Sequence, residues 1–164
     1  RYWHVSGYRP AFSFDTLETK KFSIVAARWN SQIMERLVGG ALSAFDQHGV
    51  NGSSISVFRV PGAFELGLAC QEVARTEKFD AVIALGCVIR GDTPHFDYIC
   101  AETARGLGQI ALQEAIPVAF GVLTVDNLDQ ALERSDENSQ NKGREAVLTV
   151  IETLQTLEKI RDVR

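Results

Sequence analysis

Residues Ala81–Ile89 read AVIALGCVI, a run of nine residues without a charged side chain. A strand of this length and composition is suited to burial on both faces of a parallel sheet. Three further runs can form strands beside it, namely Phe22–Ala27, Ile55–Val60 and Pro117–Leu123. Because helical signals separate the four strands, the sequence predicts a parallel α/β sheet with right-handed crossovers and helices on both faces.

The helices are predicted from the spacing of apolar residues. In Ser31–His48, the first of them, apolar side chains recur every three or four residues, as they do along one face of a helix. The others are expected near Ala63–Thr76, Pro94–Glu114, Asp129–Ser135 and Asn141–Arg161.

The first 20 residues differ from the rest, because they contain five aromatic side chains without a helical period. We therefore predict an N-terminal extension over residues 1–20 and one domain over residues 21–164. An aromatic tail is expected to pack on something, and adding a strand to a neighbouring subunit's sheet is one way. A disordered tail is the alternative.

The composition is that of an ordinary globular protein, with 45% hydrophobic and 23% charged residues in a chain of 164. A net charge of −4 without a long basic run argues against nucleic acid or a membrane surface as a partner. No apolar stretch approaches the roughly 20 residues that cross a bilayer. Free cysteines without CxxC spacing (Cys70, Cys87 and Cys100) favour buried thiols and a cytoplasmic location, with a catalytic thiol as the alternative.

The loop after the third strand has the composition of an anion site. Gly91 permits a backbone conformation that a Cβ resists, Asp92 or Thr93 can cap the next helix, and Pro94 suits its first turn. The free N–H groups of a helix N-terminus bind anions readily. His95 would lie beside the anion as a neutral base, although a histidine that only packs locally fits the same spacing.

Polar and aromatic residues also follow the other strands, at the edge where parallel sheets bind ligands. Trp29 can stack on a flat heterocycle while Asn30 reads its polar edge, or Trp29 can seal the end of the sheet. Glu65 can stabilise a helix dipole or accept hydrogen bonds from a hydroxyl-rich ligand. Arg134 and Lys142 are either solvated cations or part of a neighbour's phosphate site.

Several common motifs are missing from the sequence. It contains no GxGxxG, GxxxxGK[ST], GxSxG or HExxH segment. Because His4, His48 and His95 are dispersed and no His/Cys cluster occurs, no metal site is predicted.

Four segments together resemble the lumazine synthase family. Residues 86–98, GCVIRGDTPHFDY, resemble its signature GxVIRGxTPHFDY. The family's PGAFE and FGVLT segments are matched at residues 61–65 and 120–124. Its QAxER…NKG segment is matched at residues 130–134 and 141–143. The similarity is collinear from about Phe22 to Ile160.

The resemblance implies a flavodoxin-like three-layer α/β/α sandwich with strand order 2-1-3-4. It implies condensation of 5-amino-6-ribitylaminouracil with 3,4-dihydroxy-2-butanone 4-phosphate to 6,7-dimethyl-8-ribityllumazine, the penultimate step of riboflavin biosynthesis, without a cofactor or metal. It also implies a homopentamer or pentamer-based assembly with active sites at subunit interfaces, an icosahedral shell in some members, and riboflavin synthase as a partner. The alternative is a flavin or lumazine carrier, or a shell protein, on the same fold.

The resemblance also implies roles for individual residues. Trp29 would stack on the pyrimidine and Glu65 would accept the ribityl hydroxyls, bordered by Asn30, Ala63, Phe64 and the backbone of Val88 and Ile89. Gly91, Asp92 and Thr93 would hold the phosphate beside His95, the proton-transfer residue. Phe120, Arg134 and Lys142 would come from the adjacent subunit, with Arg134 pairing with the phosphate.

Two departures from the family pattern are informative. Trp29 stands where the family usually has Phe, and its larger ring favours affinity for riboflavin-like ligands. Residues 135–140, SDENSQ, lack the glycine turn of cage-forming members, which argues against assembly beyond a pentamer.

Overall fold

The structure is a computed structural model that describes residues 17–138 and 140–164. Four strands alternate with helices along the chain. The strands are β1 (Phe22–Ala27), β2 (Ile55–Val60), β3 (Ala81–Ile89) and β4 (Val118–Val125). The helices are α1 (Ser31–Gln47), α2 (Leu66–Arg75), α3 (His95–Glu114), α4 (Leu128–Glu133) and α5 (Lys142–Arg161), with 3₁₀ turns at Gly52–Ser54 and Ala63–Glu65.

The four strands form one parallel sheet in the order β2-β1-β3-β4. This confirms the predicted fold class and strand order. The two central strands are buried, β1 throughout and β3 over Ala81–Cys87, as their apolar composition predicts. The edge strands expose Phe58 on β2 and Phe120 on β4.

The hydrophobic core is divided between the two faces of the sheet, which gives the three layers. Helices α1 and α5 cover one face, where Leu37, Phe45 and Ile151 pack on side chains such as Ile24 and Ile83. Helices α2 and α3 cover the other face, with a second cluster formed by residues that include Val25, Leu66, Ala84, Leu107 and Ile110.

Several element boundaries differ from the sequence prediction. Strand β4 continues to Val125, because Thr124 and Val125 pair with Val88 and Ile89 of β3. The first turn of the predicted helix at Ala63 is 3₁₀, and the α-helix begins at Leu66. Helices α1 and α2 end one residue earlier than predicted, and α4 spans Leu128–Glu133.

The predicted N-terminal strand lies outside the described residues, apart from its last few positions. Leu17 is buried in the core beside α1 and α5. Lys20 forms an ion pair with Glu158 at 2.5 Å. The division into an extension over 1–20 and a domain over 21–164 stays a prediction.

Candidate active site

Asn30 connects the loop after β1 to the end of β3. It adopts the left-handed conformation (φ 62°, ψ 51°), which Asn tolerates better than most residues. Its carbonyl accepts the first hydrogen bond of α1, from the N–H of Met34 at 3.0 Å. Its Nδ2 donates to the carbonyl of Cys87 at 2.9 Å. The loop is therefore fixed to the carboxyl edge of the sheet, and Oδ1 is the atom that Asn30 can offer to a ligand.

Trp29 lies beside the turn that follows β2. Its backbone N–H donates to the carbonyl of Pro61 at 3.1 Å. An ideal Cβ on Gly62 would lie 2.7 Å from Cε3 of the indole ring, so the ring packs against the glycine backbone. Because 67% of Trp29 is exposed in the single chain, the ring is open to stacking and does not seal the end of the sheet.

Glu65 carries a buried oxygen without a partner. It ends the 3₁₀ turn Ala63–Glu65, and an ideal Cβ on Gly62 would lie 3.4 Å from its Oε2. That Oε2 is buried without a hydrogen bond. Since a buried acceptor is normally satisfied, this oxygen is able to accept a hydrogen bond from a further donor. In the same turn, Ala63 is buried and Phe64 is 58% exposed.

The β3–α3 loop, residues 90–94, leads from the half-buried Val88 and Ile89 to His95 at the start of α3. Residues Gly91 to His95 are all exposed. Pro94 is the N-cap residue, and no side chain caps the helix, so the predicted caps by Asp92 and Thr93 are wrong. The Asp97 N–H of the first turn donates to the Pro94 carbonyl at 3.0 Å, which leaves those of His95 and Phe96 to an anion.

Gly91 does not adopt a positive φ, so the conformational freedom noted from the sequence is not used here. An ideal Cβ at this position would meet no atom within 4 Å. The glycine therefore leaves open space above the loop instead of relieving backbone strain.

Arg90 was not assigned a role from the sequence, yet it connects three segments around this loop. Its Nε donates to Asp126 Oδ1 at 2.9 Å and its NH1 to Asp97 Oδ1 at 3.4 Å. Its Cζ lies 4.3 Å from the centre of the Phe96 ring, within cation–π range. The hydrogen bond to Asp126 raises the pKa of Arg90 above its ordinary value.

The two cations predicted for a neighbour's site lie together beyond β4. The N–H of Lys142 donates to the carbonyl of Arg134 at 2.9 Å. The Arg134 guanidinium donates to the Gln130 carbonyl at 3.1 Å, and Lys142 Nζ lies 3.6 Å from Glu145. Phe120 lies elsewhere, since it pairs with Ala84, four positions before Val88 on β3. Phe120 therefore lies in the middle of the sheet's edge strand, several residues before the carboxyl ends of the strands, where Trp29 and Glu65 are found.

Asn141 fixes the position of these cations. It is 2% exposed and caps α5, accepting from the Arg144 N–H at 3.0 Å. Its Nδ2 donates to the carbonyl of Ser135 at 2.9 Å and to that of Arg36 at 3.3 Å. A Cβ on Gly143 would lie 1.9 Å from the Leu37 carbonyl, so α5 can approach α1 only through a glycine.

Similarity to known proteins identifies the family of the chain. The family model for 6,7-dimethyl-8-ribityllumazine synthase matches residues 19–158. The 6,7-dimethyl-8-ribityllumazine synthase of Desulfovibrio desulfuricans is 48% identical over 140 residues, which cover 85% of this chain and 90% of the relative. The chain belongs to the lumazine synthase family.

Membership of the lumazine synthase family confirms the resemblance read from the sequence. It also confirms the predicted activity, a transferase that forms 6,7-dimethyl-8-ribityllumazine in riboflavin biosynthesis. An oligomeric assembly in general agrees with the family, and the matched range contains every predicted site residue from Trp29 to Lys142. The roles of the individual residues stay predictions.

Among residues 17–138 and 140–164, no group of three or more His, Cys, Asp or Glu side chains could hold a metal ion. None of the helices in the same ranges is long and apolar enough to pass through a membrane.

Proposed function

We propose that this chain condenses 5-amino-6-ribitylaminouracil with 3,4-dihydroxy-2-butanone 4-phosphate at a site shared by two subunits. The observation that carries the proposal is the pairing of an open stacking surface, Trp29, with a buried unpartnered oxygen, Glu65 Oε2, since both lie within 3.4 Å of the place where a Cβ on Gly62 would stand. A flat ring with a polyhydroxyl chain uses both features at once. The pyrimidine stacks on the indole while a ribityl hydroxyl donates to Glu65.

The other residues of this end border the same ligand. Asn30 offers Oδ1, since its Nδ2 is engaged by Cys87. The backbone of Val88 and Ile89 follows at the edge of β3, and Ala63 and Phe64 lie beside Glu65. These neighbours fix the orientation of the ring, which sets the 5-amino group toward the second substrate.

The phosphate end of the site is formed by the β3–α3 loop. The backbone N–H groups of Gly91, Asp92 and Thr93 and the uncapped N-terminus of α3 hold the phosphate of the butanone. Arg134 and Lys142 of the adjacent subunit supply the cations. This assignment is supported by their proximity, since the Lys142 N–H donates to the Arg134 carbonyl, and by the exposure of their side chains, 48% for Arg134 and 35% for Lys142.

The reaction needs no change of oxidation state. The 5-amino group attacks the ketone and loses one water to give an imine, after which elimination expels phosphate. The ribitylamino nitrogen then attacks the remaining carbonyl and a second water leaves as the ring closes. His95 moves the protons of these steps, an effect of roughly 10²–10⁴-fold. Arg134 offsets the charge on the departing phosphate, and alignment of two reactive substrates supplies a further part of the rate.

The assembly that completes such a site is a closed ring. One chain exposes apolar side chains on the α2–α3 side, Phe64, Leu68 and Tyr98, and two of them, Phe64 and Tyr98, line a cavity of about 510 Å³. The other surface is on the β4 side, where Phe120 is exposed on the strand itself and the Arg134–Lys142 pair follows the strand along the chain. Because two different surfaces meet, the contact is head-to-tail and closes into a ring, for which the family resemblance implies five subunits.

The proposal also covers the size of the assembly, a partner enzyme and the cellular compartment. A shell of pentamers is not expected from residues 135–140, and riboflavin synthase is proposed as the enzyme that consumes the product. The cytoplasm is proposed because Cys70 and Cys87 are free and buried, which suits a reducing compartment.

The proposal is tested by mixing the purified oligomer with both substrates and following lumazine absorbance and fluorescence against the uncatalysed reaction. Wild type accelerates product formation, and Arg134→Ala lowers the rate by about 10²-fold. The matched control is Arg75→Ala, which removes an exposed arginine paired with Glu114 at the other end of the molecule. A folded oligomer that gives no acceleration contradicts the proposal, and tight riboflavin binding would then favour a carrier.

A further inference from the structure

We propose that Arg90 is a positioning residue that holds the β3–α3 loop in its anion-binding conformation and connects this loop to Arg134. The inference rests on the proposed function, because it concerns the loop that would hold the butanone phosphate. We do not assign Arg90 a direct contact with either substrate. Its function is to fix the segment that carries the phosphate-binding N–H groups and His95.

The contacts of Arg90 enclose the loop on both sides. Its backbone N–H donates to the Val125 carbonyl at 2.8 Å, which extends the β3–β4 pairing by one step beyond Ile89. The guanidinium reaches Asp126 on the β4 side and Asp97 in the first turn of α3. It also covers the ring of Phe96, which is 9% exposed. The loop between Arg90 and Phe96 is therefore held at its start and at its end by one side chain.

A chain of hydrogen bonds continues from Asp126 to Arg134. The N–H of Asp126 donates to Gln130 Oε1 at 2.8 Å, and the Asn127 side chain caps α4 by accepting from the Gln130 N–H at 2.9 Å. The carbonyl of Gln130 in turn accepts from the Arg134 guanidinium at 3.1 Å. Arg90 thus connects the loop of one active site to the cation that, in a ring, serves the next.

Only arginine can make all of these contacts together. Its planar guanidinium offers several donors in a fixed fork and stacks on an aromatic ring, whereas lysine is a point charge on a flexible stem. We therefore expect Arg90→Lys to keep the charge but lose the loop geometry. Arg90→Gln loses both.

The test measures both Michaelis constants and the affinity for inorganic phosphate. For Arg90→Gln we expect KM for the butanone phosphate and Kd for phosphate to rise by about tenfold, with KM for the aminouracil within about twofold of wild type. For Arg90→Lys we expect a smaller rise in KM for the butanone phosphate and in Kd for phosphate, again with little change in KM for the aminouracil. Arg75→Gln, which removes an exposed arginine that bridges α2 and α3, is the control and changes none of these constants.

Two outcomes overturn the positioning role. One is an equal rise in both Michaelis constants, which indicates general damage to the fold. The other is phosphate affinity that does not respond to Arg90→Gln, or that is absent in the wild type. If the wild type forms no lumazine but binds phosphate in an Arg90-dependent way, the proposed function fails and the positioning role stands.

Discussion

The indole ring of Trp29 packs against Gly62, where an ideal Cβ would lie 2.7 Å from Cε3 and 2.9 Å from Cζ3. The glycine belongs to the loop after β2, whereas the tryptophan follows β1, so the contact joins two adjacent loops of the sheet. A side chain at position 62 cannot coexist with the ring in this place. The position of the stacking surface therefore depends on the absence of a Cβ.

Gly62→Ala is expected to displace the Trp29 ring and raise KM for the aminouracil by about tenfold or more, since small misplacements of a positioning group are costly. We expect KM for the butanone phosphate to change less, because the proposed site places this substrate at the other end. Steady-state kinetics with each substrate varied in turn measures both effects. Gly39→Ala is the control, because a Cβ there meets nothing within 4 Å. Unchanged kinetics in Gly62→Ala would contradict the assigned stacking role.

Glu65→Gln is expected to raise the stability of the protein and to lower its activity. Its Oε2 is buried without a partner in the ligand-free protein, so replacing the carboxylate by a neutral amide raises the free energy of unfolding by about 1 kcal/mol. The same change weakens the acceptor for a ribityl hydroxyl and raises KM for the aminouracil by about tenfold. Urea denaturation at fixed protein concentration and steady-state kinetics measure the two effects.

The exposed Glu72 on α2 offers the control, since Glu72→Gln removes the same charge at an exposed position outside the site. We expect it to change neither quantity appreciably. A lower free energy of unfolding in Glu65→Gln would indicate that the carboxylate stabilises the fold, and would contradict its assignment to ligand binding.

Asn141→Ala is expected to lower the free energy of unfolding by about 2 kcal/mol or more, because it removes a helix cap and a buried donor to two carbonyls. It also loosens the neighbouring Lys142 and so raises KM for the butanone phosphate. Chemical denaturation and kinetics check the two results. Asn51→Ala, which removes an exposed cap of a 3₁₀ turn, is expected to cost less than 1 kcal/mol, roughly. An equal loss of free energy of unfolding in the two variants would contradict the structural role assigned to Asn141.

The buried cysteines predict how stability falls at alkaline pH. Burial raises the pKa of Cys70 to about 12 and that of Cys87 to about 11, from 9.0. Above pH 9 the unfolded chain releases these protons while the folded chain keeps them. Folding stability therefore decreases as pH rises from about 9 toward 11 and 12, by at most about 1.4 kcal/mol per pH unit for each thiol.

Urea denaturation between pH 7 and pH 10.5, approximately, of wild type and Cys70→Ala measures this slope. The variant is less stable at neutral pH because its site contains a small cavity, but its stability declines less steeply above pH 9. If stability falls equally steeply with pH in the two proteins, Cys70 does not contribute to the loss of stability at alkaline pH.

The sequence predicted the fold because the deciding signals are local. The runs that form β1 and β3 are apolar at nearly every position, and helical spacing fills the intervals between strands. The end of β4 was missed because Thr124 interrupts an apolar run, although it pairs with Val88 across the sheet. The first turn at Ala63 was read as α-helix because spacing alone does not distinguish it from a 3₁₀ turn.

The location of the site was predictable, while the contacts that hold it were not. Trp29 and Glu65 follow strands whose carboxyl ends must meet at one edge, so the topology alone brings them together. One partner of Arg90, Asp126, lies 36 residues away along the chain, and one partner of Asn141, Arg36, lies 105 residues away, so no local sequence pattern predicts these contacts. The predicted caps at the start of α3 failed because Pro94 itself occupies the N-cap position.

The most direct test of the shared site is to mix two weakened variants, His95→Ala and Arg134→Ala, after dissociating and reassembling the oligomers. If one subunit supplies the loop and its neighbour supplies Arg134, roughly a quarter of the interfaces in a random ring regain both groups. We expect lumazine formation well above the mean of the two separate variants. Activity equal to that mean, in rings shown by native mass to contain both variants, would contradict a site shared between subunits.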